Sequence, residues 1–190
     1  MEKKENSYEI IDVSDITNVR FYTSIDQGSY IPPHWHRAVE IIYIQEGSLD
    51  ITVESQNFTI YPGGCTLINA NILHSTKCTS PNKAIVLQIP VDFMEKYIPN
   101  IQQLLFMLDH TVTDPVRKTK TAMLCTVLEQ MQIIDDIRPD GFIMRFNSLL
   151  FELLFQLYHN FSVKMFQSDL IQKKKDLDRS FDALILPGGE

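Results

Sequence analysis

The stretch GSYIPPHWHRAVEIIYIQEG, from Gly28 to Gly47, constrains this chain more than any other. It sets His34, His36 and Glu40 close together and follows them with an apolar run and a Glu46-Gly47 turn. In an extended strand, side chains alternate with a period of two. His34, His36, Glu40, Ile42 and Ile44 therefore fall on one face unless a bulge intervenes, and Trp35 and Tyr43 fall on the other. A face that is polar at one end and apolar at the other suits the inside of a small β-barrel, with a site at the mouth and packing at the base. Gly47 supplies the positive φ of a tight hairpin turn.

The flanking sequence repeats the strand signal. Val19–Ile25, His34–Gln45, Ser48–Glu54, Phe58–Tyr61, Cys65–Asn69, His74–Lys77 and Lys83–Ile89 read as strands, with Gly28–Pro33 as a turn between the first two. Short strands at close spacing, punctuated by Gly, Pro and Asn, predict an antiparallel barrel or sandwich. Past Pro90 the period changes. Val91–Leu108 reads as a helix broken near Pro99, Pro115–Ile134 as a better one and Gly141–Phe161 as a long one. The long helix carries two apolar stripes, one through Phe146, Leu150, Leu153 and Leu157, the other through Phe151, Phe155 and Tyr158. Two stripes need two partners. The expected partners are the rest of the chain and a second copy of it, with Leu150, Leu154, Leu157 and Tyr158 as the candidate dimer interface.

The expected class is mainly β with an α appendage. Residues 1–18 are read as an N-terminal arm and possible lid, 19–91 as the barrel, 92–168 as a helical dimerisation segment and 169–190 as a tail. A hydrophobic share of 44% provides a core, and no charge-poor run is long enough to span a bilayer. The N-terminus has lysines but no apolar segment of the kind a signal peptide needs. Cys65, Cys78 and Cys125 form no CxxC pair, which fits a reducing cytoplasm. The net charge of −7 argues against a broad grip on nucleic acid, which requires clustered Lys and Arg.

Imidazole nitrogens and a carboxylate converging on one point are what a divalent transition metal such as Zn, Fe, Mn or Ni asks for. His34, His36 and Glu40 can supply three donors, and His74, at the start of a later strand, a fourth. Two other readings stay open. The same residues, with Ile42 and Ile44, could line a metal-free pocket for a small polar effector, or the histidines could be hydrogen-bonded residues at a barrel rim.

The spacing of Gly28, His34, His36, Glu40 and Gly47 resembles the first motif of the cupin superfamily. Gly63 to His74, GGCTLINANILH, resembles the second, with Ala70 where a proline is usual. The resemblance implies a cupin-type antiparallel β-barrel, of double-stranded β-helix or jelly-roll form. A cupin followed by two or three helices further resembles the N-terminal half of AraC-type transcription regulators. That implies a non-enzymatic module that senses a small effector, a sugar or other polar metabolite, and forms a homodimer. DNA would then be contacted only through a C-terminal helix-turn-helix domain that this chain lacks. The alternative implied by the cupin motif is a stand-alone metal-dependent enzyme, a dioxygenase or isomerase.

Overall fold

The computed structural model describes residues 7–108 and 114–165. The expected tail, 169–190, and the first residues of the arm lie outside them. The elements in chain order are β1 (Ser7–Tyr8), β2 (Arg20–Asp26), β3 (Tyr30–Trp35), β4 (Ala38–Glu46), β5 (Leu49–Val53), β6 (Gln56–Ile60), β7 (Cys65–Ile68), β8 (His74–Lys77) and β9 (Asn82–Pro90). There follow α1 (Val91–Met94), a 3-10 turn (Ile101–Gln103), β10 (Leu104–Phe106), α2 (Pro115–Ile137), α3 (Phe142–Phe161) and β11 (Ser162–Lys164).

The strands form two main sheets, one ordered β1-β3-β8-β5-β6 and the other β2-β9-β4-β7. Their inner faces share a small apolar cluster of Ile42, Ile44, Ile68 and Ala84 from one sheet with Leu49, Ile51 and Ile60 from the other. The architecture is thus the expected β class with a helical part, in the jelly-roll form of two facing sheets.

β4 explains how the halves join. Its residues Ala38 to Ile44 are all buried. Glu40, Ile42 and Ile44 face the inner cluster or the site, while Val39, Ile41 and Tyr43 face outward into a much larger cluster. There they meet Ile85, Leu87 and Ile89 of β9 and Leu124, Leu128 and Met131 of α2, together with Leu149, Leu150, Leu153 and Leu157 of α3. A strand covered on both faces loses the alternation of a half-exposed one, which is why this run reads as nearly continuous hydrophobicity. Polar contacts cross the seam: Tyr43 Oη donates to Glu129 Oε1 at 2.8 Å, and Gln132 Nε2 donates to Thr23 Oγ1 at 2.7 Å.

Three expectations change. The turn at Gly28–Pro33 gives way to strand from Tyr30 onward, and Pro32 and Pro33 sit where the β3–β8 register shifts between Ile31 and His34. A bulge is where a strand tolerates residues without an N–H. The helix expected over Val91–Leu108, broken near Pro99, shrinks to the single turn Val91–Met94, and the left-handed Asn100 (φ 57°) leads into the 3-10 turn Ile101–Gln103. Leu104–Phe106 instead pairs antiparallel with β11. Third, Leu150, Leu154 and Leu157 are not an outward face. Their exposures are 0%, 3% and 0%, and all lie in the large internal cluster. The stripe left at the surface is Phe151, Phe155 and Tyr158.

α2 begins as its sequence requires. Asp114 caps it by accepting from the Arg117 N–H at 2.9 Å, and Pro115 follows in the first turn.

Candidate metal centre

The histidines and the glutamate come from both sheets. His34 lies on β3 and His74 opposite it on β8, as a cross-strand pair. Glu40 lies on β4, in the other sheet. His36 sits between, where the chain turns the corner from β3 into β4. The continuous strand expected from His34 to Gln45 is therefore broken at His36 and Arg37. That break brings donors in from different directions, which a single straight strand could not do.

All four side chains are buried, with exposures of 8% or less. One ring nitrogen each from His34, His36 and His74 lie within 4.8 Å of one another. The other ring nitrogen of every imidazole is occupied. His34 Nδ1 donates to Pro32 O at 2.9 Å, His36 Nδ1 to Ala38 O at 3.1 Å and His74 Nδ1 to Ile72 O at 2.9 Å. A carbonyl can only accept, so each ring carries a proton on Nδ1; the neutral rings of His34 and His74 then present a lone pair at Nε2, while His36 Nε2 is hydrogen-bonded to Glu40 Oε2. This is the support that metal-binding histidines use.

Glu40 Oε2 sits 2.8 Å from His36 Nε2 and 3.6 Å from His74 Nε2, and accepts from Gln88 Nε2 at 2.9 Å. The His74 separation is an ion-pair distance but too long for a hydrogen bond, and among the described residues His74 Nε2 is a buried atom without a hydrogen-bond partner. Burial pushes the Glu40 carboxyl up, but the hydrogen bonds from its neighbours, His36 foremost, more than offset that and hold it well below the usual range. Burial pushes His74 down, yet the Glu40 carboxylate wins and raises it. Burial, then the adjacent His74, lowers His34.

A divalent transition metal fits this arrangement. Three imidazole nitrogens converge, the Glu40 carboxylate lies beside those of His36 and His74, and the buried His74 Nε2, without a hydrogen-bond partner among the described residues, needs a cation or a proton. His34, His36, Glu40 and His74 would hold the ion, which would supply Lewis acidity to a bound oxygen ligand. Ile42 and Ile44, expected to line an effector pocket, pack into the apolar cluster behind the site. None of the three principal surface cavities is lined by the histidines.

Two residues that sequence reasoning passed over complete the site. Gln88 sits directly opposite Glu40 in the β4–β9 register. Glu9, from the arm, brings Oε2 to 3.4 Å from His34 Nε2 while Oε1 accepts from Arg20 Nη1 at 3.1 Å. Gln88 could have been found by pairing β4 with β9; nothing local marks Glu9.

The sequence profile of cupin domains matches residues 21–90. Among curated proteins, no sequence matches the chain. Solved structures that it resembles include a cupin superfamily protein from Desulfitobacterium hafniense, at 16% identity over 42% of this chain and 72% of that one, with a TM-score of 0.38. They also include the DMSP lyase DddQ from Ruegeria pomeroyi, at 26% identity over 40% of each chain and a TM-score of 0.36. KdgF from a Halomonas species matches at 18% identity over 41% of this chain and 76% of that one, with a TM-score of 0.35. Likenesses this partial carry no argument about this chain's substrate. They do correct the expectation that the chain is not an enzyme: cupin structures of this kind include a lyase, so the scaffold does not exclude catalysis. Among the described residues no helix is long and apolar enough to cross a membrane. The part of the chain that is similar to a cupin domain is residues 21–90, the two facing sheets from β2 to β9.

Proposed function

We propose that this chain is the small-molecule-sensing and dimerisation module of an AraC-type regulator, built on a metal-holding cupin domain. The observation that carries this reading is α3. Its inner stripe is fully committed to the chain's own core, yet Phe151, Phe155 and Tyr158 remain 42%, 58% and 46% exposed along its other side. An aromatic stripe of this kind on a helix already anchored by packing is suited to pairing with the same stripe of a second copy. The effector would be a sugar or other polar metabolite bound at the His/Glu centre, and DNA would be read by a separate helix-turn-helix domain. The test is the mass of the isolated protein in solution: a dimer that Phe155→Glu converts to a folded monomer is expected, and a monomeric wild-type chain would sink the reading.

A second reading, a metal-dependent cupin enzyme, is favoured by the orphaned His74 Nε2 and the pinned histidines. Metal analysis of untagged protein bears on both readings. Stoichiometric metal lost in His36→Ala supports the centre, and turnover of a small oxygen-rich substrate abolished by the same change would favour the enzyme.

A further inference from the structure

We propose that Glu9, carried by the N-terminal arm, is a further donor to the metal centre, so that metal binding and docking of the arm are one linked equilibrium. The inference rests on the reading that the His/Glu cluster holds a divalent transition metal, and adds to it a residue from outside the cupin motifs.

Three contacts hold the arm in place. Ser7 and Tyr8 pair in parallel register with His34 and Trp35 of β3. The Glu9 N–H donates to Trp35 O at 2.9 Å. The Tyr8 ring lies against Trp35 with centroids 4.6 Å apart. Together they set the Glu9 carboxylate over His34. Arg20 fixes one oxygen, and the other points at His34 Nε2 at 3.4 Å.

That approach is the informative feature. With His34 Nδ1 donating to Pro32 O, neutral His34 presents a lone pair at Nε2. A lone pair and a carboxylate oxygen repel unless a proton or a cation lies between them. The same frustration recurs at His74 Nε2, which has no hydrogen-bond partner among the described residues and faces Glu40 at 3.6 Å. Glu40 and Glu9 thus bracket the histidines, each with its remaining capacity held elsewhere, by Gln88 and Arg20 respectively. A divalent cation held among the three imidazole nitrogens would attract Glu9 from the His34 side and Glu40 from the His74 side. Arg20 also contacts Gln88 Oε1 at 3.3 Å, so a continuous chain of polar contacts runs from Glu9 through Arg20 and Gln88 to Glu40.

Linkage makes the consequence reciprocal: if the docked arm tightens metal binding, metal must favour the docked arm by the same factor. The probe is Zn²⁺ added to the full, metal-free chain, with affinity read by calorimetry and arm docking by hydrogen exchange at the Glu9 amide. The expected result is that Zn²⁺ slows that exchange in the wild type, and that Glu9→Gln weakens Zn²⁺ binding about 10-fold or more and removes the slowing. Tyr8→Ala keeps the carboxylate but loosens the arm, and is expected to weaken Zn²⁺ to a lesser degree. Wild-type affinity in Glu9→Gln, or exchange at Glu9 indifferent to Zn²⁺, overturns the proposal while leaving the histidine centre standing. A wild-type chain that takes up no Zn²⁺, Mn²⁺, Fe²⁺ or Ni²⁺ overturns both.

Discussion

The two faces of the sheet β2-β9-β4-β7 have opposite tasks. The inner face carries a small apolar cluster whose open end is polar, with Glu40 and Gln88 beside the histidines. The outer face carries the larger core, in which α2 and α3 cover Val39, Ile41, Ile85, Leu87 and Ile89. A cluster interrupted by buried polar groups stabilises weakly, because each such group must be satisfied before it stops costing free energy. The helices therefore do more than append a surface for a partner: they bury the outer face of the strands that position Glu40. Chemistry is concentrated on one face and stability on the other, with β4 common to both.

The largest effects should come from the outer face. Leu128→Ala, at a position with 0% exposure, should cost about 2–5 kcal/mol by urea unfolding, with the signals of sheet and helix lost together. Separate transitions for the two would show that the faces are independent and break the comparison. On the inner face, Gln88→Leu removes the donor that orients Glu40 and should weaken Zn²⁺ binding about 10- to 100-fold while leaving a cooperative fold. Unchanged affinity would place Glu40 outside the centre.

The pH dependence of the metal-free protein sharpens the same contrast. The folded-state pKa of Glu40 is depressed, so its contribution to stability is present above the ordinary carboxylate value of 4.5 and is lost as pH falls toward the folded value. Acid unfolding should begin below about pH 4.5, and Glu40→Gln should flatten that limb; a limb identical in the variant would mean other carboxylates govern it. The smallest stability change belongs to the exposed stripe. Phe155→Glu should alter unfolding free energy by no more than about 0.5 kcal/mol once concentration dependence is removed, whereas Leu154→Glu, three-percent exposed, should prevent folding. Equal damage from both would mean that the two sides of α3 are not distinct.

Much of this was legible in residues 28–47. The alternation of Glu40, Ile42 and Ile44 on one side and Val39, Ile41 and Tyr43 on the other survives intact in β4, because a period of two is a property of extended backbone itself. Parity alone was a poor guide across His34 and His36, since the chain changes sheets between Trp35 and Ala38 and donors approach from two sheets. The helical period located α3 and both of its stripes, but assigned Leu150, Leu154 and Leu157 to a second copy. Periodicity reports how many faces are apolar and is silent on which one the chain itself will cover.

What the sequence by itself determined is the local geometry: strand against helix, the turn at Gly47, the donor types and their spacing in the cupin motif. These follow from backbone sterics and side-chain chemistry over a few residues. Only the tertiary structure decided that Gln88 orients Glu40 and that Glu9 reaches His34 from the arm. Those contacts join residues distant in the chain, and they exist because strand pairing and a parallel arm bring them together; no local pattern encodes such a meeting.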